Sequence, residues 1–166
     1  SPVTGGDGTP VYQWESSTDG SNYQPINSTN QQNYDPPPVS VTTYFRRQVS
    51  SGSCSPPTPS TPVTITVTPP ITANVIHADN TMFCASTGTF TITGDPPAGG
   101  DGSYTYKWQS STDGISYQLV NGAISASYDS PSLTETTWFE RIVSSGSCNR
   151  TSISTPVKIT VQTVLA

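Results

Sequence analysis

Residues 99–114 read GGDGSYTYKWQSSTDG, and this stretch decides the fold. Tyr104, Tyr106 and Trp108 fall two residues apart, with Thr105 and Lys107 between them. That is the period of a β-strand with one aromatic face and one polar face. The run Ser111-Thr112-Asp113-Gly114 then ends it. A glycine accepts positive φ, and an aspartate bonds the backbone N–H groups of its own turn. A hairpin into a strand at Tyr117 is therefore expected.

The same stretch occurs twice. Residues 5–20 read GGDGTPVYQWESSTDG, 94 positions earlier, and the correspondence continues through Tyr34 and Tyr128, Cys54 and Cys148, and Val67 and Val161. Residues 5–67 and 99–161 align without a gap and agree at 34 of 63 positions. The period is that of one small β-sandwich of roughly 100 residues. Further alternation marks strands at residues 43–49 and 137–143, and at 62–67 and 156–161. Copy two alone has an upstream segment, residues 71–94, where strands are expected at 71–76 and 87–93. About seven short strands per complete domain and no helical pattern predict an all-β chain. The expected architecture is two tandem immunoglobulin-like β-sandwich domains, residues 1–69 and 70–166, the first lacking its N-terminal strands. Trp14 and Trp108 are assigned to the cores, on the third strand of each domain. Two full periods would exceed the 166 residues, so the chain reads as a window on a longer tandem array.

Composition narrows the function. Charged residues make up 10% of the chain, with 6 Lys and Arg against 11 Asp and Glu and a net charge of −5. Six basic residues do not build the phosphate-neutralising surface that nucleic acid requires. No apolar run approaches the ~20 residues of a membrane helix, so membrane insertion is not expected. Polarity comes instead from 25 Ser and 26 Thr. Such a chain suits an extracellular or cell-surface setting.

The pattern from GGDGSYTYKWQSSTDG through SYD, TTWFERIVSSGSC and STPVKITV resembles the Ig-like repeats of large surface proteins of Bacteroidetes. Those proteins are exported by the type IX secretion system and include gliding-motility adhesins. The resemblance covers nearly all of the chain and is densest over the Trp, STDG and SSGSC segments. It implies stalk or adhesive units, with neighbouring Ig-like repeats of the same parent chain as partners, and no catalytic centre.

Three cysteines are odd in number for such a setting. Cys54 and Cys148 are equivalent, and Cys84 has no counterpart in copy one. The repeat suggests one disulfide per complete domain, Cys84 to Cys148, with Cys54 left as an unpaired thiol. The spacing places that bridge at one end of the sandwich.

Candidate chemistry is sparse. The lone His77 has no nucleophile partner in the pattern, and three cysteines without CxxC spacing do not make a zinc site. Asp7 and Asp101, Asp19 and Asp113, and Asp35 and Asp129 recur in both copies. Calcium takes six to eight oxygen ligands, and Asp95 and Asp101 are the candidates for it near the domain junction, although turn chemistry already accounts for most Asp-Gly pairs. No other cofactor is expected. Tyr104, Tyr106, Tyr117 and Trp138 are candidate ligand-facing aromatics for surface glycans. Arg47 and Arg141 share strand faces with Phe and Val and read as structural guanidiniums, stacked on aromatics or paired with carboxylates.

The first expectation for function is a non-enzymatic structural and adhesive stalk segment of a long repetitive secreted protein. The alternatives are a carbohydrate-binding module, the accessory Ig-like region of a secreted hydrolase, and a fibre subunit completed by strand complementation from another chain.

Overall fold

The computed structural model describes residues 6–52, 54–84, 88–146 and 150–162, and every element among them is a strand or a turn. The chain divides into two compact units, Ser1–Thr68 and Pro69–Ala166.

The first unit holds β1 (Pro10–Ser17), β2 (Gln24–Pro25), β3 (Thr43–Ser51), β4 (Cys54–Pro59) and β5 (Val63–Ile65). They form one antiparallel sheet in the order β2-β1-β3-β4, with β5 also on β3. The second unit holds β6 (Ile76–Ala78), β7 (Met82–Cys84), β8 (Phe90–Gly94), β9 (Tyr104–Ser111), β10 (Gln118–Leu119), β11 (Tyr128–Ser130), β12 (Thr137–Ser145), β13 (Arg150–Ile153) and β14 (Val157–Gln162). Here there are two sheets. One runs β10-β9-β12-β14-β7 with β13 also on β12, and the other runs β11-β8-β6. Among the described residues only β7 and β14 pair in parallel, with Val161 opposite Phe83. Facing sheets joined in this order make an immunoglobulin-like sandwich, with the N-terminal strand divided between the two sheets.

Alternation puts the core where the sequence indicates. Ile76, Phe90 and Ile92 come from the small sheet and Trp108, Phe139 and Ile159 from the large one, and together they form one buried cluster. Rings continue it: Trp108 to Tyr128 is 5.6 Å between centroids, Tyr128 to Phe139 5.5 Å, and Phe139 to Phe90 5.8 Å. The first unit repeats the Trp14–Tyr34–Phe45 part of this chain at 5.8 and 6.1 Å. It has no second sheet among its described residues. Trp14 is accordingly half-buried, a correction to its assignment as core, whereas Trp108 is fully buried. The same contrast separates Ile65, 36% exposed, from its equivalent Ile159 at 0%.

Several elements differ from expectation. Residues 71–76 form an isolated bridge, Thr72 to Ala98, before β6 begins at Ile76. β4 and β13, which follow the SSGSC turn, and the short β7 and β11 carry no alternating apolar signal.

Candidate functional site

The most heavily engaged polar residue of the second unit is Arg141, fully buried at the middle of β12. No carboxylate pairs with it. Its Nε donates to Asn74 Oδ1 at 2.9 Å, one terminal nitrogen to the Ala126 carbonyl at 3.0 Å, and the other to the Asp95 carbonyl at 2.8 Å. The guanidinium carbon also stands 5.4 Å from the Tyr106 ring centroid. Burial pushes its pKa below the ordinary guanidinium value, with Tyr106 and Asp95 pulling the other way. Asn74 completes the arrangement: its amide nitrogen donates to the carbonyls of Arg141 and Ser152 at 3.1 and 2.8 Å. Gly94 leaves room for it, because a side chain there would collide with the guanidinium.

Ser154 explains why the backbone breaks beside this residue. Arg141 N–H donates to the Ser154 hydroxyl at 2.9 Å, and Ser154 N–H donates to the Arg141 carbonyl at 3.0 Å. β13 therefore ends and β14 begins opposite Arg141, with Pro156 between them. The first unit repeats the device, with Ser60 bonded to both backbone groups of Arg47.

Arg47 is otherwise less complete. One terminal nitrogen donates to the Gln32 carbonyl at 2.7 Å, the equivalent of the Ala126 bond, and the guanidinium carbon lies 4.9 Å from the Tyr12 ring centroid. Its Nε is buried without a partner. It borders an open groove of about 400 Å³ lined by Trp14, Gln32, Tyr34 and Val63 among others.

Four of the recurring aspartates, Asp7, Asp19, Asp101 and Asp113, build turns, whereas Asp129 on β11 accepts from the Thr91 hydroxyl on β8 at 2.6 Å. Asp19 accepts from Ser17, from the N–H groups of Ser21 and Asn22, and from the Asn22 amide; Asp113 accepts from Ser111 and from the N–H groups of Ile115 and Ser116. These donors hold both carboxyl groups far below their ordinary value of 3.8. Asp7 is lowered to about 2, chiefly by the Ser51 hydroxyl and then by Thr9. Asp101 is lowered by the Ser103 N–H and then by the Ser145 hydroxyl.

The calcium candidates each have partners of their own. Asp95 lies 3.3 Å from His77 Nε2, both side chains exposed, while Asp101 is tied to Ser103 and Ser145. Among the described residues no group of three or more His, Cys, Asp or Glu side chains is placed to hold a metal ion.

The candidate aromatics are all half-buried. The Tyr104 hydroxyl donates to the Gly99 carbonyl at 2.6 Å, and Tyr106 lies beside Arg141. Trp138 has the Gly114 turn against it and the Lys158 ammonium 5.0 Å from its ring. The Tyr117 hydroxyl is buried without a hydrogen-bond partner, and burial, Glu140 and Asp113 raise its pKa. Trp138 and Tyr106 do not share a platform: Trp138 pairs with Ser111, on the face of β9 opposite to Tyr104 and Tyr106.

The expected Cys84–Cys148 bridge falls outside the described residues, because Cys148 lies within 147–149. Cys84 stands opposite Gln162, beyond the point where β14 meets the first residue of β12. Cys54 opens β4, opposite Ser51.

Sequence reasoning missed Asn74. It lies in the segment with no counterpart in copy one, so comparing the copies could not single it out.

A family model described as "Domain of unknown function (DUF8696)" matches residues 2–69 and again residues 72–163. No curated protein matches the chain. Among solved structures, the fibronectin(III)-like modules of Clostridium thermocellum CbhA are 17% identical, with 96% of this chain and 83% of that one covered and a TM-score of 0.37.

Proposed function

The chain belongs to the DUF8696 family and carries its domain twice, and from that premise we propose that it is a non-catalytic structural and adhesive segment of a repetitive cell-surface protein. One observation carries this reading: shared tryptophans, arginines and serines, and most of the shared aspartates, make hydrogen bonds within their own domain. The indole N–H groups of Trp14 and Trp108 donate to the equivalent carbonyls of Gln31 and Ser125. Shared Asp19 and Asp113 close turns, shared Arg47 and Arg141 bond carbonyls, and shared Ser60 and Ser154 bond the arginines' backbone.

The resemblance of the repeats to type IX-exported adhesins of Bacteroidetes supports a place on the cell surface, with sister repeats as neighbours. In that setting the repeats act as spacers, and a low charge limits non-specific attraction.

Fluorescence titration with soluble polysaccharides, alongside assays for their hydrolysis, tests the proposal. The expected result is no saturable change in tryptophan emission and no reducing-sugar release. A saturable change abolished by Trp138→Ala would favour a carbohydrate-binding module, and sugar release would overturn the non-catalytic reading.

A further inference from the structure

Both units make a tight turn directly after β2 and β10, and only the second fills it with the pair Asn-Gly. There Val120, Asn121, Gly122 and Ala123 form a β-turn, closed by the Ala123 N–H on the Val120 carbonyl at 3.3 Å. Gly122 sits in it at φ +77°, and its counterpart in the first unit is Ser28 at φ +61°, after Asn27. The turn bond does not use the Gly122 N–H. Among the described residues no hydrogen bond engages that N–H or the Asn121 side chain, and both residues are exposed.

We propose that Asn121 is a site of spontaneous modification, at which the chain converts this side chain to an isoaspartyl link with water as the only co-reactant. The Gly122 nitrogen loses its proton to solvent and attacks the side-chain carbonyl carbon of Asn121. A new C–N bond forms there, the bond to the amide nitrogen breaks, and that nitrogen takes a proton from solvent and leaves as ammonia. The product is a succinimide ring. Water opens it at either carbonyl: one opening leaves an ordinary aspartate, the other routes the main chain through the side chain. The proposal is independent of the stalk reading.

Glycine makes the attack feasible, because no Cβ stands beside its nitrogen. The other exposed asparagines, Asn22, Asn27, Asn30, Asn33 and Asn80, precede Tyr, Ser, Gln, Tyr and Thr, whose side chains crowd that atom. The Asp-Gly pairs are closed to the reaction in another way. Hydrogen bonds hold the carboxyl groups of Asp7, Asp19, Asp101 and Asp113 ionised, and a carboxylate resists nucleophiles. The Gly20 and Gly114 nitrogens are also occupied, donating to the hydroxyls of Ser17 and Ser111 at 3.0 and 2.9 Å.

The position gives the change a structural effect. Ahead of the turn, Val120 N–H donates to the Trp108 carbonyl at 2.9 Å. Beyond it, the Ser125 carbonyl receives the Trp108 indole N–H at 2.9 Å and the Ala126 carbonyl receives Arg141 at 3.0 Å. An isoaspartyl link adds a methylene to the main chain between these anchors and loosens the loop that carries them.

The test ages the full chain at mildly alkaline pH and maps it by peptide mass spectrometry, with a protein isoaspartyl methyltransferase marking the product. Loss of the amide and methyl labelling are expected in the peptide holding Asn121, and neither in Asn121→Gln. Solvent exchange of the Trp108 indole N–H should quicken in the aged chain. It should stay unchanged in Asn121→Asp, which carries the charge on a normal backbone. No labelling in the folded chain where the urea-unfolded chain is labelled would overturn the proposal, as would equal labelling at Asp19 or Asp113. Unchanged indole exchange in the labelled chain would overturn the loosening of the loop.

Discussion

Arg141 is a buried cation without an anion, neutralised in effect by a ring of carbonyl dipoles and an amide. Truncating the arginine leaves buried neutral acceptors unsatisfied, at a cost of roughly 1–3 kcal/mol. Arg141→Met should lower the stability of the second unit by that amount, read from denaturant unfolding followed at Trp108. Arg47→Met in the first unit should cost ~1 kcal/mol, since Arg47 makes fewer bonds. The aspartate turns set the acid response. Their folded pKa values are depressed, so the stability they supply is complete above about pH 4 and is lost as pH falls toward 2. Thermal unfolding should be flat from pH 7 to 5 and fall below 4, and Asp113→Asn should make that fall shallower. The sequence marked the shared arginines as structural and stacked on aromatics, and Tyr106 fits that expectation. It did not reveal that carbonyls replace the carboxylate. Those carbonyls belong to loop residues such as Ala126, and backbone groups leave no trace in side-chain patterns.

At the scale of elements, the Ser-Thr-Pro run is a designed strand break, in which Ser154 supplies the hydrogen bonds that a continuous strand would have supplied. Ser154→Ala should cost about 1–2 kcal/mol by leaving the buried Arg141 N–H without its acceptor. Its effect should appear in hydrogen exchange at Arg141 before exchange elsewhere on β12. Just upstream of β6, Ala73 has φ of +57°, a conformation that costs a non-glycine residue ~1 kcal/mol, and it delivers Asn74 to the arginine. Ala73→Gly should therefore leave unfolding midpoints unchanged or raise them slightly. The long strands β1, β3, β9 and β12 were legible, because each runs eight or nine residues and carries aromatic or apolar residues two apart, most fully on β12. The three-residue strands β7 and β11 were not. Three residues hold too few alternations to show a period, and their pairing with β14 and β8 is set by the fold around them.

For the whole molecule, the repeat displayed the sandwich and the doubled domain, but equal sequences do not imply equal environments. Ile65 and Ile159 are equivalent, yet Ile159→Ala should cost about 2–5 kcal/mol and Ile65→Ala under ~1 kcal/mol. Urea midpoints of the two variants give the comparison. The parallel pairing of β7 with β14 has a mechanical consequence. In the second unit, tension applied at the two chain ends first peels β6, whose bonds to β8 open one after another. It then reaches two strands running the same way, where the Thr160 N–H bond to the Thr81 carbonyl and the pairs beyond it must slide and fail together. In single-molecule pulling, this domain should show a distinct rupture peak that Thr160→Pro lowers. An unchanged peak would place the point of rupture elsewhere. The fold thus contains a shear fastening, loaded only when the polypeptide is under load.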